Sequence, residues 1–116
     1  MPKQKGNTGT GGDLESKNPL WLKDKGDSFF KDKNYISAIE AYSEALKQDS
    51  KLLNAVLNRS LAYMKIFKFQ EAINDCDQAL LILQSQISGD EEEQAHSRLT
   101  LSKIKVRKGI CTAWKG

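Results

Sequence analysis

The sequence predicts an all-α fold, a solenoid of helix–turn–helix units with five helices in about two and a half repeats. Two observations predict it: the chain matches itself after a shift of 34 residues, and its apolar residues recur at helical spacing between short polar breaks. The shift aligns Gly26 with Ser60, Phe29 with Tyr63, Ala38 with Ala72, Ile39 with Ile73, Tyr42 with Cys76 and Ala45 with Ala79. A period of that length, carried by small, aromatic and alanine positions, marks stacked helix pairs. Glycine inside a helix costs about 1 kcal/mol relative to alanine. At Gly26, as at Ser60, close approach of a neighbouring helix is expected to offset that cost.

The elements follow in order. Residues 1–18, "MPKQKGNTGTGGDLESKN", hold four glycines and almost nothing apolar, the composition of a flexible linker. The run "GNTGTGG" lacks the closing Gly-Lys-Ser/Thr and the preceding apolar strand of a phosphate loop. Asn18 and Pro19 read as an N-cap and a first-position proline, opening a helix from about Pro19 to Lys31 that "KDKN" breaks. Asn34 caps a second helix, Tyr35 to Gln48, with Tyr35, Ala38, Ile39, Tyr42, Ala45 and Leu46 on its apolar stripe. Ser50 is expected to cap a third, ending near Ile66. A fourth, from near Phe69 to Gln84, turns Ala72, Ile73, Cys76, Ala79, Leu80 and Leu83 inward; a fifth starts near Glu91 and runs towards Trp114.

At this point the sequence resembles the tetratricopeptide repeats, with one repeat over residues 19–52, a second over 53–86, an acidic loop near 87–93 and a partial third repeat to 116. Ser50 and Gln84 stand where that family usually has proline. Gly109 follows Ser60 by 49 residues, so the third unit contains an insertion of 15. Only its first helix is present, and Val106, Ile110 and Trp114 are expected to be left uncovered, as in a fragment, a short isoform or a chain that meets a partner there.

Composition sets further bounds. Net charge is +3, with acid concentrated at Asp90 to Glu93 and base at Lys103, Lys105, Arg107 and Lys108. No apolar run approaches the roughly 18 residues of a membrane span, and no signal-peptide pattern is present. A membrane partner is therefore not expected. Cys76 and Cys111 lack metal or redox spacing and fall on helical patterns, so they read as buried thiols. The one histidine, His96, reads as a surface residue, and Glu91, Glu92 and Glu93 as a helix N-terminus favoured by the macrodipole. No catalytic constellation, metal or cofactor is expected, and the chain is read as a non-enzyme.

In this architecture the first helix of each unit lines the concave face. Lys23 and Asp27 are one turn apart on the first helix, Asn58 lies on the third, and Lys103 and Arg107 are one turn apart on the fifth. Three cations and an amide suit carboxylates, the lysines as point charges and the arginine as a two-pronged fork. These positions resemble the carboxylate clamp of chaperone-binding tetratricopeptide domains. That resemblance implies that Lys23, Asn58, Lys103 and Arg107 grip the C-terminal Glu-Glu-Val-Asp tail of the seventy- and ninety-kilodalton heat-shock chaperones. Asp27 stands where the clamp has asparagine. Two unit charges about 4 Å apart interact by about 1 kcal/mol in water and about 4 kcal/mol at an effective dielectric near 20, so Asp27 is expected to weaken tail binding unless Lys23 or Lys31 holds it.

The run "LESKNPLWLKDKG", with "NY..AI.AY..A" and "LNRS", is similar to the C-terminal tetratricopeptide region of the dynein axonemal assembly factor family of the dyslexia-susceptibility type. The resemblance implies a cytoplasmic, co-chaperone-like adaptor that helps preassemble ciliary dynein arms, placed in ciliated cells and also in the nucleus. It also implies an N-terminal β-sandwich domain before this region and a complete third repeat after it. Two other readings stand beside it. One is a generic protein–protein scaffold without a working clamp; the other sets Lys103, Lys105, Arg107 and Lys108 with Trp114 against nucleic-acid phosphate, which the nearby acidic loop and balanced charge disfavour.

Overall fold

The structure, a computed structural model, describes residues 18–86 and 91–115, without the side chains of residues 91–97. The proposed linker up to residue 17, most of the acidic loop, and the side chains of Glu91, Glu92, Glu93 and His96 lie outside the described residues. Among the described residues every element is helical: α1 (Pro19–Lys31), α2 (Tyr35–Gln48), α3 (Leu53–Lys65), α4 (Phe69–Gln86) and α5 (Glu91–Lys115). Each helix packs on its sequence neighbours, and α1 also touches α3. The result is an elongated stack of helix pairs, 50 × 37 × 20 Å.

The helix starts follow local chemistry in two cases and tertiary packing in a third. Asn18 Oδ1 accepts from the Leu20 amide at 2.7 Å, with Pro19 at the first helical position. Asn34 Oδ1 accepts from the Ser37 amide at 3.4 Å. Ser50, however, caps nothing: α3 begins at Leu53 with Leu52 at the cap position and no side-chain hydrogen bond. A turn comes first, in which Asp49 accepts from the Lys51 amide with Oδ1 and from the Leu52 amide with its carbonyl. That turn delivers Leu52 and Leu53 onto the core, and their burial outweighs the missing cap. At its far end α4 runs two residues past the expected Gln84, to Gln86.

The turns repeat with the helices. After α1 the Asn34 amide bonds the Phe29 carbonyl and the Lys33 amide bonds Phe30; after α3 the Lys68 amide bonds Tyr63 and the Phe67 amide bonds Met64. Both are Schellman closures, and both set a non-glycine residue in the left-handed region, Lys33 at φ 62° and Phe67 at φ 64°.

Small residues let the helices close. Ala38, Ala41, Ala45, Ala55, Ala72 and Ala79 are fully buried around Leu22, Tyr42, Val56 and Cys76. Gly26 is buried, and a Cβ there would stand 2.6 Å from Tyr42 Cε1, which confirms it as a point of contact. Gly109, its expected counterpart in the third unit, has nothing within 4 Å of such an atom. On α4 the buried face is displaced from the expected one. Ile73 and Leu80 are half-buried, while Asp75 and Ile82 are buried, because α3 and α5 cover α4 from two sides. Helix α5 seats Ile104 and Cys111, seven residues apart, in the core. Val106, Ile110 and Trp114 are exposed as expected, but they face the groove beside α3, where Leu61 and Met64 join them.

Candidate functional site

The five candidate residues divide into two groups. The first is centred on Asp27. Its Oδ2 pairs with Lys23 Nζ at 2.8 Å along α1, while its Oδ1 accepts from Tyr42 Oη of α2 at 2.5 Å and from Asn58 Nδ2 of α3 at 2.9 Å. Burial opposes ionisation of Asp27, but the Lys23 ammonium, the Tyr42 hydroxyl and the Asn58 amide outweigh it and hold the carboxyl below its ordinary value. The hydrogen bond to Asp27 raises the Lys23 ammonium in turn. Lys23 is thus the holder of Asp27. Lys31 lines the same pocket, of about 230 Å³, with Phe30 and Leu61.

The second group sits on α5. Arg107 Nη1 donates to the Leu57 carbonyl at 3.0 Å and to Ser60 Oγ at 3.1 Å, so the arginine is anchored on α3 within three residues of Asn58. Lys103 is exposed and makes no ion pair with a described residue. Lys103 and Arg107 border a groove of about 460 Å³ floored by Leu61, Met64, Val106 and Ile110. Leu61 lines this groove and the Asp27 pocket alike, which joins the two groups along α3. Further along, Phe67, Phe69 and Trp114 continue the apolar surface, with Phe69 stacked on Trp114 at 6.5 Å and edge-on to Phe67 at 6.1 Å.

Sequence reasoning missed two polar contributors. Tyr42 was assignable only to the core stripe; the signal for more was its hydroxyl, which a buried tyrosine must bond to something. Arg59 forms a fork onto Asp75, Nη2 to Oδ1 at 2.6 Å and Nε to Oδ2 at 2.8 Å, and Nη1 reaches Ser43 Oγ at 3.0 Å. This buried ion pair ties α2, α3 and α4 together behind the groove. Both cysteines are free and buried; burial pushes the Cys76 thiol up to about 11, with Cys111 adding to the shift. Among the described residues no group of three or more His, Cys, Asp or Glu could hold a metal, and no helix is long and apolar enough to cross a membrane.

Comparison with known proteins gives this geometry its context. No protein-family model matches the chain. Dynein axonemal assembly factor 4 of Pongo pygmaeus is 37% identical over 95 residues, 82% of this chain and 21% of that protein. Sperm-associated antigen 1 of Mus musculus is 44% identical over 82 residues, 71% of this chain and 8% of that protein. The chain therefore spans about a fifth, or less, of the length of these curated relatives. Among solved structures, the second tetratricopeptide domain of Spaghetti (RPAP3), bound to the HSP90 peptide SRMEEVD, superposes with a TM-score of 0.56 at 28% identity, covering 88% of this chain and 92% of that one. This chain's paired helices in a 34-residue register, the sequence likeness and the structural neighbour together make it a tetratricopeptide-repeat region, similar over part of their length to the dynein axonemal assembly factors.

Proposed function

We propose that the groove binds the acidic C-terminal tail of the ninety-kilodalton heat-shock chaperone, and the like-ended tail of the seventy-kilodalton chaperone, with Lys103 and Arg107 as the principal carboxylate ligands. The observation that carries this reading is the placement of those two cations over the apolar floor of Leu61 and Met64, on a fold whose neighbour holds an HSP90 tail peptide. Lys23 and Asn58 contribute less, because Asp27 engages both. On this proposal the chain acts as a cytoplasmic co-chaperone-like adaptor in the preassembly of axonemal dynein arms, residues 19–116 forming one repeat domain. The nucleic-acid reading loses support: Lys108 pairs with Asp77 at 2.6 Å, which takes one cation out of the basic cluster.

Calorimetric titration with the peptide SRMEEVD tests the reading. Binding is expected at micromolar Kd or weaker, a standard free energy of about −8 kcal/mol at most in magnitude, and Lys103→Ala is expected to weaken it about tenfold. An unchanged affinity in that variant, or no binding by the native chain at millimolar peptide, overturns it.

A further inference from the structure

We infer that Asp27 is a specificity determinant, a built-in occupant of the pocket between α1 and α3 that keeps the groove from reading the free carboxyl end of a bound tail. This rests on the proposed tail binding and adds which part of the tail is recognised. The donors at this end are Lys23 and Asn58, with the exposed Lys31 at the rim of the pocket. Asp27 takes Lys23 and Asn58, at 2.8 and 2.9 Å, and a third donor, Tyr42, at 2.5 Å. The donors come from three helices, so the occupant is held by the fold itself and not by one local pair. Local charge points the same way, since Lys23 faces two carboxylates, Asp27 at 2.8 Å and Asp24 at 3.5 Å. The Asp27 side chain is 37% exposed, so its charge borders the pocket that a tail end would enter. A terminal carboxylate arriving there finds Lys23 and Asn58 engaged and a like charge beside it, with Lys31 alone left at the rim, whereas the acidic side chains of the tail reach Lys103 and Arg107 in the adjoining groove. The groove accordingly takes an acidic, apolar-flanked peptide segment whether or not its carboxyl terminus is free.

The experiment measures SRMEEVD and its C-terminal amide against the native chain and against Asp27→Asn, with helicity confirmed by circular dichroism. The native chain is expected to bind the two peptides within about threefold of each other. Asp27→Asn, which removes the like charge, is expected to favour the free acid by about tenfold or more, the scale of one unit charge met at about 4 Å. A native chain that loses tenfold on amidation overturns the inference and leaves tail binding standing; so does a folded Asp27→Asn variant without preference. If neither peptide binds either protein, tail binding and the inference fall together. The comparison of the two peptides on the native chain decides the matter even if the variant does not fold.

Discussion

The ring of Tyr42 lies against Gly26 while its hydroxyl donates to Asp27, the next residue along α1. One side chain therefore fixes both the packing register of the first repeat and the charged pocket at the end of its groove. The ring cannot retreat from Gly26 without breaking the 2.5 Å bond at its other end.

Gly26→Ala is consequently expected to destabilise the chain, although alanine is the better helix former. The added Cβ would meet Cε1, Cδ1 and Cζ of Tyr42 at 2.6, 2.7 and 2.9 Å. Overpacking of this kind costs about 1–3 kcal/mol, against a propensity gain of about 1 kcal/mol. Gly109→Ala meets no atom within 4 Å and keeps the propensity gain alone. Urea midpoints should move in opposite directions for the two variants; a stabilised Gly26→Ala would show that the α1–α2 contact is looser than its geometry.

The contrast between these glycines marks what the sequence could reveal. The 34-residue register and the two asparagine caps were legible because each depends on residues close in sequence or on exact repetition. The Lys23–Asp27 pair was legible for the same reason, being one helical turn. Tyr42 and Asn58, 15 and 31 residues from Asp27, join it only through packing. Asp75 reads as a polar position on α4 until Arg59 is seen beneath it. Ser50 has ideal capping chemistry and no helix to cap, since burial of Leu52 and Leu53 decides where α3 begins. Gly109 repeats the glycine of the first unit without an aromatic ring to meet it.

Asp27 also sets a pH dependence. Its pKa in the folded chain lies below the ordinary value of 3.8. A depressed carboxyl adds stability that is complete above the unfolded value and is lost as pH falls through the folded one. Chemical denaturation between about pH 5 and pH 2 is expected to show stability falling on acidification, with a shallower slope in Asp27→Asn than in the native chain. Parallel slopes would mean that Asp27 is no better held in the folded chain than in the unfolded one.

The Arg59–Asp75 pair offers a larger effect. Asp75 is buried, at 5% side-chain exposure, and Arg59 largely so, at 16%; burial alone would lower the Arg59 pKa, yet the Asp75 carboxylate more than reverses this. Asp75→Ala leaves the guanidinium charge without its partner and is expected to cost about 3–5 kcal/mol. Replacing both residues, as Arg59→Met with Asp75→Leu, removes the stranded charge and is expected to cost less than Asp75→Ala alone. A double-mutant cycle on urea midpoints measures the coupling; additive losses would show that the fork is incidental to the packing of α2, α3 and α4.

The two left-handed turns separate backbone strain from surface function. A non-glycine residue in the left-handed region costs about 1–2 kcal/mol, and glycine there gives back about 0.5–1 kcal/mol through its freer unfolded chain. Lys33 is exposed and its side chain makes no hydrogen bond or ion pair with a described residue, so Lys33→Gly is expected to stabilise by roughly 0.5–1 kcal/mol. Phe67 has the same backbone geometry but is 78% exposed, stands edge-on to Phe69, and borders the apolar end of the groove. Aromatic pairs of this kind contribute about 0.5–1.5 kcal/mol, so Phe67→Gly is expected to be close to neutral in stability. Phe67 lines the apolar end of the groove, where a tail bound as proposed would meet it. Phe67→Gly is therefore expected to weaken SRMEEVD binding several-fold at unchanged stability, whereas Lys33→Gly leaves that affinity unaltered. Equal affinities in the native chain and in Phe67→Gly would confine the peptide to the groove around Lys103 and Arg107.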